Sequence, residues 1–130
     1  MSAEPLLAAP TVVQVHLALA LAAFLLGFVQ FGRVKGDMAH RLLGWSWVVC
    51  MAGVALTSFW IRDLFDGFGP IHALAILVLV ILPLGVRRAR RGQVRDHART
   101  MTGLFIGALV VAGIFTLLPG RLLGRVLIGW

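Results

Sequence analysis

The chain has 130 residues, of which 60% are hydrophobic and 13% charged, and its formal net charge is +7. A soluble domain of this length cannot bury so much apolar surface in one core, whereas a bilayer can cover it. The basic excess does not indicate nucleic-acid binding, because nine of the twelve Lys and Arg residues fall in two short segments, 32–41 and 87–99, that connect apolar runs. That distribution is typical of the cytoplasmic connections of a membrane protein.

Four apolar segments follow one another along the chain: Thr11–Phe31, Arg41–Ile61, Pro70–Val86 and Thr100–Leu118. Each approaches the roughly 20 residues that a helix needs to cross about 30 Å of hydrocarbon. Helices are expected because lipid offers no partner to an unpaired backbone group. We therefore predict an all-α membrane protein with one domain, residues 1–130, formed by four transmembrane helices in an up-down bundle. We expect no cleavable signal peptide, since the first apolar run is too long for one.

The connections predict the orientation. The first (GRVKGDMAHR) and the third (RRARRGQVRDHAR) are basic, whereas the second (RDLFDGFGP) holds one Arg and two Asp. The positive-inside rule then predicts both termini on the outer side of a bacterial inner membrane. The tail after Pro119 alternates Arg with apolar residues and is expected in the outer interface. Trp45, Trp47 and Trp60 match an aromatic belt at the membrane surfaces.

The two halves of the chain resemble a tandem repeat of one helical hairpin. Each predicted helix carries one histidine near its start: His16 and His40 are 24 residues apart, and His72 and His97 are 25 apart. With the predicted orientation, His16 and His72 form an outer pair, and His40 and His97 form an inner pair. A parallel duplication gives the first and third helices equivalent positions, and likewise the second and fourth.

The placement of these pairs suggests haem. In an up-down bundle the first and third helices lie diagonally, as do the second and fourth, so each pair can point across the interior. Two neutral imidazoles on opposite sides of the iron are what a b-type haem requires. A position near a helix N-terminus favours the neutral form of histidine. The alternative, open for each pair and strongest for His40 and His97 beside basic loops, is an interfacial histidine that touches lipid headgroups.

Four further residues fit a planar cofactor. Gly27 lies three helical turns after His16, on the same face, and Gly44 lies one turn after His40, so both would leave space for a porphyrin. Arg41 and Arg99 would pair with haem propionates, as would Arg62. For Arg41 and Arg99 the alternative is anchoring at the cytoplasmic surface.

Motifs for other chemistry are absent from the sequence. No carboxylate lies within an apolar segment, and there is no Ser/His/Asp set, HExxH motif or phosphate-binding loop. Asp37 and Asp96 precede His40 and His97 by three residues and one residue, and would either orient an imidazole or cap a helix. The single cysteine, Cys50, excludes a disulfide within the chain.

Several stretches resemble a bacterial family of small predicted inner-membrane proteins. They are HRLLGW, the long stretch GFGPIHALAILVLVILPLGVRRARRGQVRDHARTMTGLFIGALVVAGIFTLLPGR, and LLGRVLIG, which together extend the resemblance over nearly the whole chain. The recurrent histidines of that family match His16, His40, His72 and His97. The chain departs from it at His97-Ala98-Arg99, where the family more often has His-Arg, so the role of Arg99 is in question. The family resemblance implies a membrane location and does not indicate any particular activity.

In helix number and histidine placement the chain is also similar to the four-helix di-haem cytochromes of the b561 type. By analogy, that similarity implies electron transfer with quinone. The leading interpretation is therefore a membrane b-type cytochrome with two haems. Its partner would be quinone or a redox protein. Whether the protein is itself a quinone-linked oxidoreductase is left open by the sequence. The runner-up is a non-redox membrane protein, an accessory subunit or small-molecule binder. A zinc or copper site ranks last, because each pair offers two ligands where zinc takes four. The sequence leaves the oligomeric state open.

Overall fold

The computed structural model describes residues 4–33, 36–60, 70–117 and 124–129. Within these ranges the chain contains no strand, and its helices are α1 (Glu4–Leu7), α2 (Thr11–Phe31), α3 (Met38–Ser58), α4 (Pro70–Arg90), α5 (Val94–Leu104), a π-helix (Phe105–Val111), α6 (Ala112–Thr116) and a second, C-terminal π-helix (Gly124–Ile128). The helices α5, the first π-helix and α6 follow one another without interruption and are called the fourth span here. The spans α2, α3, α4 and the fourth are each long and apolar enough to cross a membrane.

The observed bounds agree with the apolar segments at α2 and differ from them elsewhere, and α3 ends at Ser58 rather than at Ile61. α3 begins at Met38 rather than at Arg41, because Asp37 caps the helix there: its Oδ1 accepts from the backbone N of His40 at 2.7 Å. α4 continues past Val86 to Arg90. The fourth span begins at Val94, so residues 94–99 are helical although they are polar. Hydropathy marks where the membrane ends, whereas a helix can continue outside the lipid while its arginines extend toward the water.

The four spans form a closed ring. α2 packs against α3, α3 against α4, and α4 against α5, and the first π-helix closes the ring by packing against α2. α2 and α4 therefore lie on one diagonal, and α3 and the fourth span on the other. The prediction of a four-helix up-down bundle is confirmed.

Ten buried apolar residues form the core of the bundle. They are Ala23, Trp47, Met51, Ala55, Ala75, Val78, Leu82, Leu104, Phe105 and Leu109. Many large apolar side chains instead point outward, such as Leu25, Phe28, Val49 and Val80, each more than 60% exposed. A water-soluble protein would not present such a surface, and lipid is the medium that covers it.

Of the three tryptophans predicted to form an aromatic belt, Trp47 does not. Its side chain is 6% exposed and lies in the core, whereas Trp45 and Trp60 are 49% and 69% exposed. Trp47 lies seven residues after His40, which is about two helical turns, so both residues share the inward face of α3. The prediction for Trp47 was wrong because hydropathy does not indicate which face of a helix points inward.

The two ends of the bundle differ in composition. The basic end comprises the ends of α2 and α4 with the starts of α3 and α5, and it carries most of the arginines. The terminal end is the opposite one, where α1 contacts the C-terminal π-helix. There the side-chain amide of Gln14 donates to the carbonyls of Leu6 and Ala9 at 3.0 and 3.1 Å, which ties the start of α2 to the segment before it.

Candidate functional site

His40 and His97 come together at the basic end of the bundle. His40 is the third residue of α3 and His97 the fourth of α5, on helices that face each other across the interior. Their ring centroids are 6.4 Å apart and their planes are 85° apart. Both side chains are half-buried. The structure thus brings together His40 and His97, the two histidines that the sequence predicts to form the inner pair.

One hydrogen bond identifies the tautomer of His97. Its Nδ1 lies 2.8 Å from the carbonyl oxygen of Gly85 on the neighbouring helix α4. Because a carbonyl can only accept, Nδ1 must carry the proton, and Nε2 of the neutral ring then carries the lone pair. A backbone carbonyl that accepts from one ring nitrogen is the usual companion of a histidine that binds metal through the other.

Glycine allows this approach of α4 and α5. A Cβ at Gly85 would lie 2.7 Å from Cε of Met101 and 3.1 Å from Cγ2 of Thr100, both on α5. A side chain at Gly85 would therefore require Met101 and Thr100 to shift. Thr100 also accepts a hydrogen bond of 2.6 Å from Arg88, which further ties the helices together.

The first turn of α3 is held on two sides. The Asp37 cap fixes its start, and the side chain of Gln30 on α2 donates to the carbonyl of His40 at 2.9 Å. Asp37 is therefore a helix cap, one of the two roles considered for it. Nearby in the core, Nε1 of Trp47 is buried without a hydrogen-bond partner among the described residues.

The spacing of the two rings is compatible with one metal ion between them. A metal ion about 2 Å from a nitrogen of each imidazole, in line with both, would hold the ring centres about 6.3 Å apart. The observed separation of 6.4 Å differs little from this value. Among the described residues no group of three or more His, Cys, Asp or Glu side chains could hold a metal ion.

His16 and His72 both lie at the terminal end, beside the last residues of α3. Nδ1 of His16 is 2.8 Å from Oγ1 of Thr57. His72 is only 3% exposed, and its ring centroid is 6.0 Å from that of Phe59. Both predicted members of this pair thus lie at one level of the bundle, on the two helices α2 and α4 that form one of its diagonals.

The predicted cofactor-facing glycines lie in different surroundings. A Cβ at Gly27 would overlap the ring of Phe105 and lie 3.1 Å from Nε1 of Trp47, so aromatic side chains take the space over it. A Cβ at Gly44 would lie 3.5 Å from Nε2 of Gln30. The role of both glycines toward a cofactor stays a prediction.

The predicted propionate partners Arg41 and Arg99 are exposed at the basic end, each within two residues of a histidine of the pair. Arg99 also lines a shallow groove on the outside of the fourth span with Thr102, Gly103 and Ile106. Arg62 lies outside the described residues. The role of these arginines toward a cofactor stays a prediction as well.

Sequence reasoning missed Thr57 and Gly85, which form hydrogen bonds to the rings of His16 and His97. Thr57 is 41 positions from His16 along the chain, and the acceptor at Gly85 is a backbone carbonyl, so no local motif reveals either contact. One signal was available in the sequence. Thr57 lies one turn after Gly53, and the other acceptor belongs to Gly85 itself. Glycines in apolar helices mark positions where helices approach closely.

The family model described as "Predicted membrane protein (DUF2306)" matches residues 13–128. The chain belongs to this family. The match covers all four spans and all four histidines, and it agrees with the four membrane-crossing helices of the structure. Comparison with curated proteins and with solved structures gives no match.

Proposed function

We propose that this member of the DUF2306 family is a membrane b-type cytochrome that holds two haems and carries electrons across the inner membrane. The observation that carries the proposal is the pair formed by His40 and His97, whose ring centroids are 6.4 Å apart across the interior of the bundle. The Nδ1–H tautomer of His97, fixed by the Gly85 carbonyl, leaves Nε2 available as a ligand.

The second haem would be held by His16 and His72 at the terminal end. In support, the hydrogen bond to Thr57 orients His16, and His72 is buried beside Phe59 at the same level. Along α3, His40 and Thr57 are 17 residues apart, so the two sites would be separated by about 25 Å along the bundle. Two groups at opposite ends of a membrane-crossing bundle suit the transfer of electrons from one face to the other.

The chain's own residues would bind and shield the haems. When bound, haem supplies the one-electron redox chemistry, and the protein contributes ligation, a dry site and charge pairing. At the basic end, Arg41 and Arg99 would pair with propionates, and Gly44 would admit the edge of the macrocycle, whereas Phe105 takes the space over Gly27. Phe31 and Phe105, with ring centroids 5.0 Å apart, would exclude water on the inner side of this site.

Quinone is the proposed partner at the membrane surface, with a second redox protein as the other carrier. The choice rests on analogy: in helix number and histidine placement the chain resembles the di-haem cytochromes of the b561 type. The basic connections would face the cytoplasm, so the basic end holds the inner haem and the terminal end the outer one.

An absorption spectrum of the purified full-length protein in mild detergent tests the proposal. We expect the difference spectrum of dithionite-reduced minus oxidised protein to show a low-spin haem with two imidazole ligands, and a chemical assay to give two haems per chain. His40→Ala and His97→Ala should each remove the same haem, and His16→Ala and His72→Ala the other.

The control variant is Gln93→Ala, which alters an exposed residue of the basic end whose side chain makes no capping bond. It should keep both haems. A colourless wild-type protein, or full haem content in all four histidine variants, would refute the cytochrome. Loss confined to one pair would refute the second haem.

A further inference from the structure

The contacts of the Thr57 hydroxyl group indicate the direction of each of its hydrogen bonds. Its hydroxyl oxygen lies 2.8 Å from the carbonyl of Gly53 and 3.1 Å from that of Val54, both one turn earlier in α3. Two carbonyls can only accept, so the single hydroxyl proton must point toward them. The third contact of this oxygen, at 2.8 Å from Nδ1 of His16, must then be one in which Thr57 accepts.

It follows that His16 carries its proton on Nδ1. The neutral ring therefore keeps the lone pair of Nε2 free, as His97 does at the basic end. One histidine of each pair is thus held in the form that binds metal through Nε2.

The close approach of α2 and α3 makes this contact possible. A Cβ at Gly53 would lie 2.8 Å from Cδ1 of Leu19, so glycine leaves the space in which Leu19 packs against the backbone of α3 at this point. Leu19 lies one turn after His16, and Thr57 lies one turn after Gly53. The same close contact between the helices therefore brings the hydroxyl within reach of the imidazole.

We propose that Thr57 is the positioning residue of the terminal site: its hydroxyl fixes His16 in the Nδ1–H tautomer and thereby tunes the reduction potential of the haem held there. The second part rests on the proposed function, whereas the first concerns the chain alone. An acceptor on Nδ1–H makes the imidazole a more basic ligand and stabilises the oxidised metal. At the basic end the acceptor is a backbone carbonyl, so Thr57 is the one of these two acceptors that a substitution can remove.

The tautomer is tested by nuclear magnetic resonance on haem-free protein labelled with ¹⁵N-histidine in lipid nanodiscs. The signal of His16 is identified by its loss in His16→Asn. We expect wild type and Thr57→Ser to show a protonated Nδ1 and a bare Nε2, and Thr57→Val, which keeps the shape and loses the hydroxyl, to move toward the opposite tautomer. An unchanged tautomer in Thr57→Val would overturn the role of Thr57.

The potential is tested by redox titration of the haem-loaded protein. Thr57→Val should raise the midpoint potential of one haem and leave the other unchanged, with both haems retained, and Thr57→Ser should titrate as wild type. Equal potentials in wild type and Thr57→Val would overturn the tuning. Absence of haem from the wild type would refute the proposed function instead, and the resonance experiment would still decide the tautomer.

Discussion

The imidazole rings of His40 and His97 meet across the diagonal of the bundle, with centroids 6.4 Å apart and planes 85° apart. α3 and α5 pack mainly against other helices, so this contact spans the interior rather than an interface between neighbours. Each ring comes from the first turns of its helix, where the macrodipole disfavours a positive charge. These two half-buried imidazoles are the pair on which the proposed haem site of the basic end rests.

Because both rings would bind one iron, the haem lost on replacing His40 and the haem lost on replacing His97 should not add. We predict that the double variant His40→Ala/His97→Ala retains as much haem as either single variant, since removal of one axial ligand already releases the haem. The measurement is haem per chain, determined for the two single variants, the double variant and wild type under one purification. Clearly lower haem content in the double variant than in both singles would contradict a shared site.

Gly27 should be intolerant of even a methyl group. A Cβ there would overlap the ring of Phe105 and lie 3.1 Å from Nε1 of Trp47, and both of these side chains are buried. Overpacking of this kind costs about 1–3 kcal/mol. Gly27→Ala should therefore lower the thermal unfolding temperature in detergent, followed by tryptophan fluorescence.

The matched control is Gly103→Ala, since a Cβ at Gly103 would meet nothing within 4 Å. This change should leave stability equal or raise it by up to about 1 kcal/mol, because alanine is the better helix former. If Gly27→Ala and Gly103→Ala unfold at the same temperature as wild type, the packing of α2 against Phe105 is not as described.

Asp37 should stabilise α3 through its side-chain oxygen rather than through its charge. It accepts from the backbone N of His40 at 2.7 Å. Asp37→Ala should destabilise the protein by about 1 kcal/mol, whereas Asp37→Ser, which keeps a capping oxygen, should lose much less. Thermal unfolding at neutral pH separates the two variants. Equal losses in both would mean that the carboxylate acts through charge alone.

The spans could be predicted from hydropathy because every segment that crosses the lipid must be apolar. α2 begins and ends where its apolar run does. The start of the fourth span was placed six residues too late, at Thr100 instead of Val94, because residues 94–99 are polar and still helical. A helix outside the lipid is stabilised by its own backbone bonds and by packing, which composition does not reveal.

The histidines illustrate what topology can and cannot predict about a site. Because one histidine lies near the start of each helix, the order of the helices was enough to predict that His40 and His97 form a pair. The partners of the rings were not predictable, because Thr57 and Gly85 meet His16 and His97 through contacts between helices. Trp47 was assigned to the membrane surface for the same reason: the inward face of α3 is decided by its neighbours.

The orientation of the bundle follows from charge and can be tested without knowledge of any cofactor. Nine of the twelve basic residues lie in segments 32–41 and 87–99, which flank the basic end. Basic connections are retained on the cytoplasmic side, so both termini should lie outside. A reporter fused after Trp130 should be active only if it senses the outer compartment, and one inserted after Gly92, in the turn between α4 and α5, only if it senses the cytoplasm. The opposite pattern would invert the membrane sides of the two histidine pairs and leave their distances unchanged.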